Sequence, residues 1–149
     1  MELSTYLPYL VNRVGQRFIS DIAPTLNEVG VDIQSWRVLI ALYQRDGQPV
    51  GALSELTSIN FSTLSRVLDR MEMRDLIKRT RGSDARSFTI EISASGRAVT
   101  DKILPKAAAL EDVATDDFSK AELATLRQLL TKLYAGLDAS KQIEDRIAG

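Results

Sequence analysis

Residues 61–71 read FSTLSRVLDRM, and how this stretch is taken decides the fold. On a helical wheel Leu64, Val67, Leu68 and Met71 gather on one side. Ser62, Arg66 and Asp69 point the opposite way, flanked by Thr63 and Arg70. Asn60 sits where an N-cap belongs. Just upstream, a short helix around Gly51–Thr57 carries apolar Leu53 and Leu56, and the four residues TSIN (57–60) break it. Two short helices joined by a tight break, the second with a polar face rich in arginine and hydroxyls, form the pattern of a helix-turn-helix.

Downstream, the period changes from helical to alternating. Phe88, Ile90 and Ile92 fall on one face and Thr89 and Glu91 on the other, as in a half-buried strand. Residues Ile77 to Arg81 can pair with that strand across a tip containing Gly82, Ser83 and Asp84. This predicts a β-hairpin with arginines at its tip. Ser93 is placed to cap a further helix whose buried side carries Val99, Ile103 and Leu110, with Pro105 as a bend.

Upstream, Leu7, Leu10, Val14, Phe18 and Ile22 step by three or four, predicting one long helix over residues 3–29 that Pro24 kinks or restarts and Gly30 ends. Asp32 is an N-cap candidate for the next helix, with Trp36, Leu39, Ile40 and Tyr43, which stops at Gly47. At the other end, Leu123, Leu126, Leu130, Leu133 and Leu137 alternate steps of three and four in a heptad-like seam. A helix with that seam needs a partner: the N-terminal helix and the bent helix supply one, and a second subunit the rest.

Composition narrows the chemistry. The 149 residues suit one domain, with 44% hydrophobic and 26% charged side chains. There is no cysteine and no histidine. Disulfides, thiolate nucleophiles, thiol redox sensing and serine–histidine catalysis are therefore excluded, and zinc has no usual ligand beyond carboxylates. No glycine-rich phosphate loop and no converging carboxylate pair supports an enzyme, and no cofactor or metal is expected. No apolar run is long enough to span a membrane, and the N-terminal MELSTYLPYLVNRVG has no signal-peptide pattern, so no membrane association and a cytoplasmic location are expected.

The net charge of −1 conceals an asymmetry. Residues 60–87 hold seven Lys/Arg against four Asp/Glu, a local +3, while residues 109–149 hold five against eight, a local −3. Contact fields are local under physiological screening, so an acidic chain can still present an anion-binding face.

The order of elements, and above all the stretch TLSRVLDRMEMRDLIKRTRGSDARSFTIEISASG (63–96), strongly resembles the MarR family of bacterial winged helix-turn-helix regulators. Leu64-Ser65-Arg66, Asp69-Arg70, Asp84-Ala85-Arg86 and Ser93-Ala94-Ser95-Gly96 match that family's recurrent motifs. Two positions depart from it. Asp75 stands where a glycine usually precedes the leucine that opens the wing, so the turn after the recognition helix can differ. Ser87 stands where a second arginine often follows Arg86, which removes one candidate phosphate contact.

The resemblance implies a mainly α chain with a small β-hairpin wing: one domain over 1–149, with a winged helix-turn-helix lobe at about 32–93 and dimerisation helices at about 3–29 and 94–145. It also implies a homodimer that binds double-stranded DNA at a palindromic operator and, as in many relatives, releases it when a small organic effector binds. In that setting Ser62, Thr63, Ser65, Arg66, Arg70, Arg81 and Arg86 become the expected DNA-binding residues. Arg66 or Arg70 would read a base edge, the hydroxyls would serve phosphates and bases, and Arg86 would enter a minor groove. Asp84 is expected to fix the wing through an arginine. Arg13, Arg17 and Trp36 are candidates for an effector pocket, although a tryptophan in Trp36's place is more often core than ligand cage. The location would be the bacterial cytoplasm, on the nucleoid when DNA is bound. Two rivals stand beside this reading, a winged-helix protein-interaction module without DNA binding and a dimeric carboxylate enzyme.

Overall fold

The computed structural model describes residues 2–82 and 87–148. A 3-10 turn at Leu3–Thr5 precedes α1 (Leu7–Glu28), α2 (Ile33–Gln44), β1 (Gln48–Pro49), α3 (Val50–Thr57), α4 (Phe61–Met73), β2 (Ile77–Arg81), β3 (Phe88–Ile92), α5 (Ala94–Ala114) and α6 (Lys120–Ala148). The strands are antiparallel in the order β1-β3-β2. The expected class, mainly helical with a small β wing behind a helix-turn-helix, is the one observed. The chain divides into two compact units, Met1–Leu110 and Glu111–Gly149.

The expected helix over 3–29 begins later and continues through its proline. Pro8 lies in the first turn of α1, where a missing N–H costs nothing. Pro24 lies inside α1 on an exposed position, and the helix continues past it to Glu28. The end is a Schellman turn: Gly30, at φ 67°, donates to Asn27 O (3.1 Å) and Val31 donates to Leu26 O (3.0 Å). Likewise, α5 runs unbroken through Pro105.

The caps expected for α2 and α4 are present. Asp32 Oδ1 accepts from the Ser35 amide (2.7 Å) and Asn60 Oδ1 from the Thr63 amide (2.9 Å). The turn between α3 and α4 passes through Ser58 at φ 56° and is closed by Ser54 Oγ donating to Ile59 O (2.6 Å). Behind it Leu53, Leu64, Val67, Leu68 and Met71 pack with Val38, Leu39, Leu42, Ile77, Ile90 and Ile103, none more than 1% exposed. Burial on that scale contributes about 1.5–3 kcal/mol for each large side chain and fixes α4 by its apolar face.

The wing pairs Ile77 with Ile92, Arg79 with Ile90 and Arg81 with Phe88. Ile90 and Ile92 are buried, whereas Phe88 on the same face reaches past the core edge and is 41% exposed. β1 adds a third strand, with Gln48 opposite Ile90, that the sequence reading did not include.

At the base of the wing Ser93 ties three segments. Its Oγ donates to Asp75 O and accepts from the Gly96 amide (3.0 Å), while its own amide donates to Leu76 O (3.0 Å). A Cβ on Gly96 would lie 2.2 Å from Leu76 O, so the α5 backbone can approach the turn only through a glycine. The hydroxyl-x-x-glycine motif is thus a joint between the wing and α5. Asp75 itself adopts φ 56°, the left-handed conformation for which a glycine is the usual choice. The departure at this position therefore preserves the turn, because aspartate is among the few residues that tolerate it.

In the second unit, a capping box opens α6. The Glu122 amide donates to Ser119 Oγ (3.1 Å) and the Ser119 amide donates to Glu122 Oε1 (3.0 Å). The backbone amide and then the hydroxyl of Ser119 hold the Glu122 carboxyl below its usual value. Along α6 the leucine seam is partly uncovered: Leu126, Leu130 and Leu137 are 37%, 45% and 63% exposed, while Leu123 and Leu133 are half-buried.

Candidate nucleic-acid interface

The exposed side of α4 follows from its buried side. With Leu64, Val67, Leu68 and Met71 held in the core, Ser62, Ser65, Arg66, Asp69 and Arg70 are all exposed and Thr63 is half-buried. Ser62 Oγ donates to Asn60 Oδ1 (3.0 Å), which draws this hydroxyl into the cap. The side chains of Ser65 and Arg66 make no hydrogen bond or ion pair among the described residues. A guanidinium left unpartnered on a helix face carries all its donors outward, the state suited to a base edge or a phosphate.

Arg70 is placed differently. Its Nη2 donates to Asp32 Oδ2 at 3.0 Å, with both side chains about half exposed. Arg66 and Arg70 are therefore not equivalent, although the sequence offers them as alternatives. Asp69 is also committed: Arg79 on β2 donates to Asp69 Oδ1 (2.7 Å) and to Glu72 Oε1 (3.2 Å). This three-way pair pins the wing's first strand to α4, so the spacing between recognition helix and wing is set by charge as well as by packing. Arg79 is not among the expected site residues, and only the i,i+3 acids Asp69 and Glu72 hint at it in the sequence. Arg74, also unforeseen, donates to the carbonyls of Gly30 and Val29 at the end of α1.

Arg81, at the end of β2, is exposed and its side chain has no hydrogen bond or ion pair among the described residues. Arg86 and Asp84 lie outside the described residues. Beside α4, Val50, Phe61, Ser65, Leu68, Arg79 and Phe88 line a groove of about 260 Å³. A second concavity of about 400 Å³ lies between α2 and α3, lined in part by Arg37, Ile40, Arg45 and Leu56.

The effector candidates stand in different settings. Trp36 is 9% exposed in the hydrophobic cluster. Arg17 is a solvated side chain bonded through Nε to Asp21 (3.0 Å), one turn away on α1, and Arg13 is exposed. None of the three lines either concavity. Among the described residues, no group of three or more carboxylates could hold a metal ion.

An amphipathic recognition helix behind a helix-turn, a charge-tied wing and a positive local balance together define a winged-helix DNA-binding protein. The MarR family signature matches residues 31–88. A MarR-family transcriptional regulator from Silicibacter pomeroyi has the same fold, with a TM-score of 0.83 and 30% identity over 91% of this chain and 92% of that one. The chain belongs to the MarR family, a family of transcriptional regulators and not of enzymes. It is also 24% identical, over 95% of its length and 94% of the relative's, to the organic hydroperoxide resistance transcriptional regulator of Bacillus subtilis. A mutant MarR from E. coli, solved complexed with operator DNA, shares the fold at a TM-score of 0.75 and 22% identity, over 85% of this chain and 92% of that one. The protein is a DNA-binding transcriptional regulator with a winged helix.

Proposed function

We propose that this regulator is a homodimeric repressor that binds a palindromic operator and releases it when a small organic effector binds. The observation that carries the reading is the outward face of α4, where Ser65 and Arg66 are presented without partners among the described residues, beside a wing tied to the same helix. Ser62, Thr63 and Arg70 flank them, and Arg81 and Arg86 would carry the wing's contacts in the neighbouring groove. Asp84 would steady that wing.

Two uncovered apolar faces support a dimer. On α1, Leu7, Leu10, Val14 and Phe18 are 37–57% exposed, and on α6 Leu126, Leu130 and Leu137 are 37–63% exposed. Patches of this kind on a regulator are assembly surfaces. In this reading residues 1–149 are one MarR-type domain, with the lobe at about 32–93 and the dimerisation helices at about 3–29 and 94–145. Half-sites would lie about one helical turn apart on one face of the duplex.

For the effector, NadR, a neighbour by fold, is known in complex with 4-hydroxyphenylacetate, and an aromatic acid is the class proposed here. Arg13 and Arg17 could meet its carboxylate and Trp36 its ring. The hydroperoxide response of the Bacillus relative does not transfer by a thiol route, because this chain has no cysteine. Among the described residues, no helix is long and apolar enough to cross a membrane. The working location is the cytoplasm, on the nucleoid when bound.

The test is selection of duplexes from a random library by the purified protein, followed by sequencing of the enriched sites. A two-fold symmetric motif supports the reading and supplies the probe for effector screening. Absence of enrichment at low salt, where phosphate contacts are strongest, would leave α4 as a solvated face and favour a protein-interaction module.

A further inference from the structure

Arg66, Arg70 and Arg74 follow one another at intervals of four, so they form a ladder along one side of α4 and its C-cap. Their surroundings change from one end to the other. Arg66 is unpartnered among the described residues, Arg70 gives one N–H to Asp32, and Arg74 is bound to two backbone carbonyls at the end of α1. The last two grip the same short junction, Val29–Asp32, which joins α1 to α2. That junction is rigid in its own right, through the Schellman turn at Gly30 and the Asp32 cap on Ser35.

We propose that Asp32 is a positioning residue for DNA recognition: it caps α2 with Oδ1 and, with Oδ2, holds Arg70 in the orientation from which its remaining donors face DNA. The proposal rests on the reading that α4 docks against DNA. A free arginine gives up considerable rotamer freedom on binding, and a fixed carboxylate meets that cost before DNA arrives. Only one edge of the guanidinium is used by Asp32, which leaves other N–H groups for a base or phosphate. Arg74 anchors the same junction one turn further on, so the carboxylate that aims Arg70 is itself fixed to α4. Arg70 thus reads from a braced position and Arg66 from a free one.

The two roles of Asp32 can be separated. Asparagine and serine cap helices about as well as aspartate, but neither carries the charge that holds an arginine. The measurement is the affinity of the full-length protein for its selected duplex and for a scrambled duplex of equal composition, with thermal melting of each variant alongside. Asp32→Asn and Asp32→Ser are expected to keep the melting temperature near that of the parent. They should weaken the selected duplex by roughly five- to tenfold while changing the scrambled one by less than about twofold. In an Arg70→Ala background the same substitutions should have no further effect, because the coupling is pairwise.

Three results would overturn the proposal. If Asp32→Asn matches the parent on both duplexes, the ion pair is architectural only. Tighter binding to both duplexes would make Asp32 a restraint that withholds Arg70. An undiminished effect in the Arg70→Ala background would route it through the α2 cap. A parent protein that distinguishes no duplex from any other would refute the reading of α4 itself, a separate failure seen before any variant is made.

Discussion

In α4 the apolar stripe of Leu64, Val67, Leu68 and Met71 is no more than 1% exposed, whereas in α6 three leucines of the stripe, Leu126, Leu130 and Leu137, stand 37–63% exposed. Both stripes have the helical period and similar side chains. One is closed by α2, α3 and the wing strands, and its burial is what turns Ser65 and Arg66 outward. The other, on a helix of 29 residues, leaves three of its leucines exposed. Period in a sequence announces a helix with one apolar side; it does not say whether that side is covered within the chain. In this molecule the covered stripe orients the face proposed to read DNA, and the exposed leucines of the other belong to the surface proposed to meet a second copy.

The comparison is broken most severely by cutting the same side chain in each stripe. Leu68→Ala should destabilise the lobe by about 2–5 kcal/mol, the usual cost of a cavity at a fully buried leucine. Urea unfolding followed by circular dichroism would read it. Leu130→Ala, at 45% exposure, should change unfolding at low protein concentration by less than about 1 kcal/mol. Its effect should appear in sedimentation velocity, as a larger share of the slower species. Equal unfolding costs for the two would mean that the α6 stripe is core.

A smaller cost is expected at the wing's base. Gly96→Ala places a methyl 2.2 Å from Leu76 O and 2.8 Å from Ile92 Cγ1, so α5 must move off the turn that Ser93 secures. Overpacking of this kind costs about 1–3 kcal/mol and should lower the thermal midpoint accordingly. Because the same turn leads into β2, amide exchange of Ile77 and Ile92 should quicken as well. A melting curve unchanged by the substitution would show that the joint has slack.

Arg66→Ala tests the other face of α4 without touching stability. It should cost about 1–3 kcal/mol of binding to the selected duplex and relax the preference at defined base pairs. A uniform loss on all sequences, with a shallower salt dependence, would instead assign Arg66 to a phosphate.

What can be read in advance follows the same division. Asp32, Asn60 and Ser93 are legible as caps because a cap is a relation between residues two or three apart. The α4 stripe and the β2–β3 alternation are legible because they repeat. β1 is not, since the two residues Gln48–Pro49 carry no period, and its existence depends on Ile90 and Thr89 some forty residues on. Pro24 does not restart the helix: proline interrupts helices in general, yet at this exposed position α1 continues past it. The recognition face is legible as a list of residues but not as a division of labour. Arg79's hold on Asp69 and Glu72, and Asp32's on Arg70, join residues that are 7 to 38 positions apart. No local rule connects them, and they decide which arginines remain free.

The smallest effect is expected at Asp75, where the sequence departs from a glycine and the backbone does not. At φ 56° an L-residue pays a steric cost of about 1–2 kcal/mol, reduced for aspartate by its short polar side chain. The bonds at the turn use main-chain groups of this residue and the next: the Asp75 amide donates to Glu72 O (3.0 Å), the Leu76 amide donates to Met71 O (2.9 Å), and Asp75 O accepts from Ser93 Oγ. Asp75→Gly keeps each of them and removes the Cβ. Glycine's greater freedom in the unfolded chain offsets part of the gain, by about 0.5–1 kcal/mol. The net should be a stabilisation of at most about 1 kcal/mol, read as a small rise in the thermal midpoint. Asp75→Val, with a branched Cβ in the same conformation, should fall on the other side of the parent by a larger margin. If glycine lowered the midpoint instead, the carboxylate of Asp75 would have to stabilise the turn beyond its backbone bonds, and the aspartate would be a substitute for glycine with a function of its own.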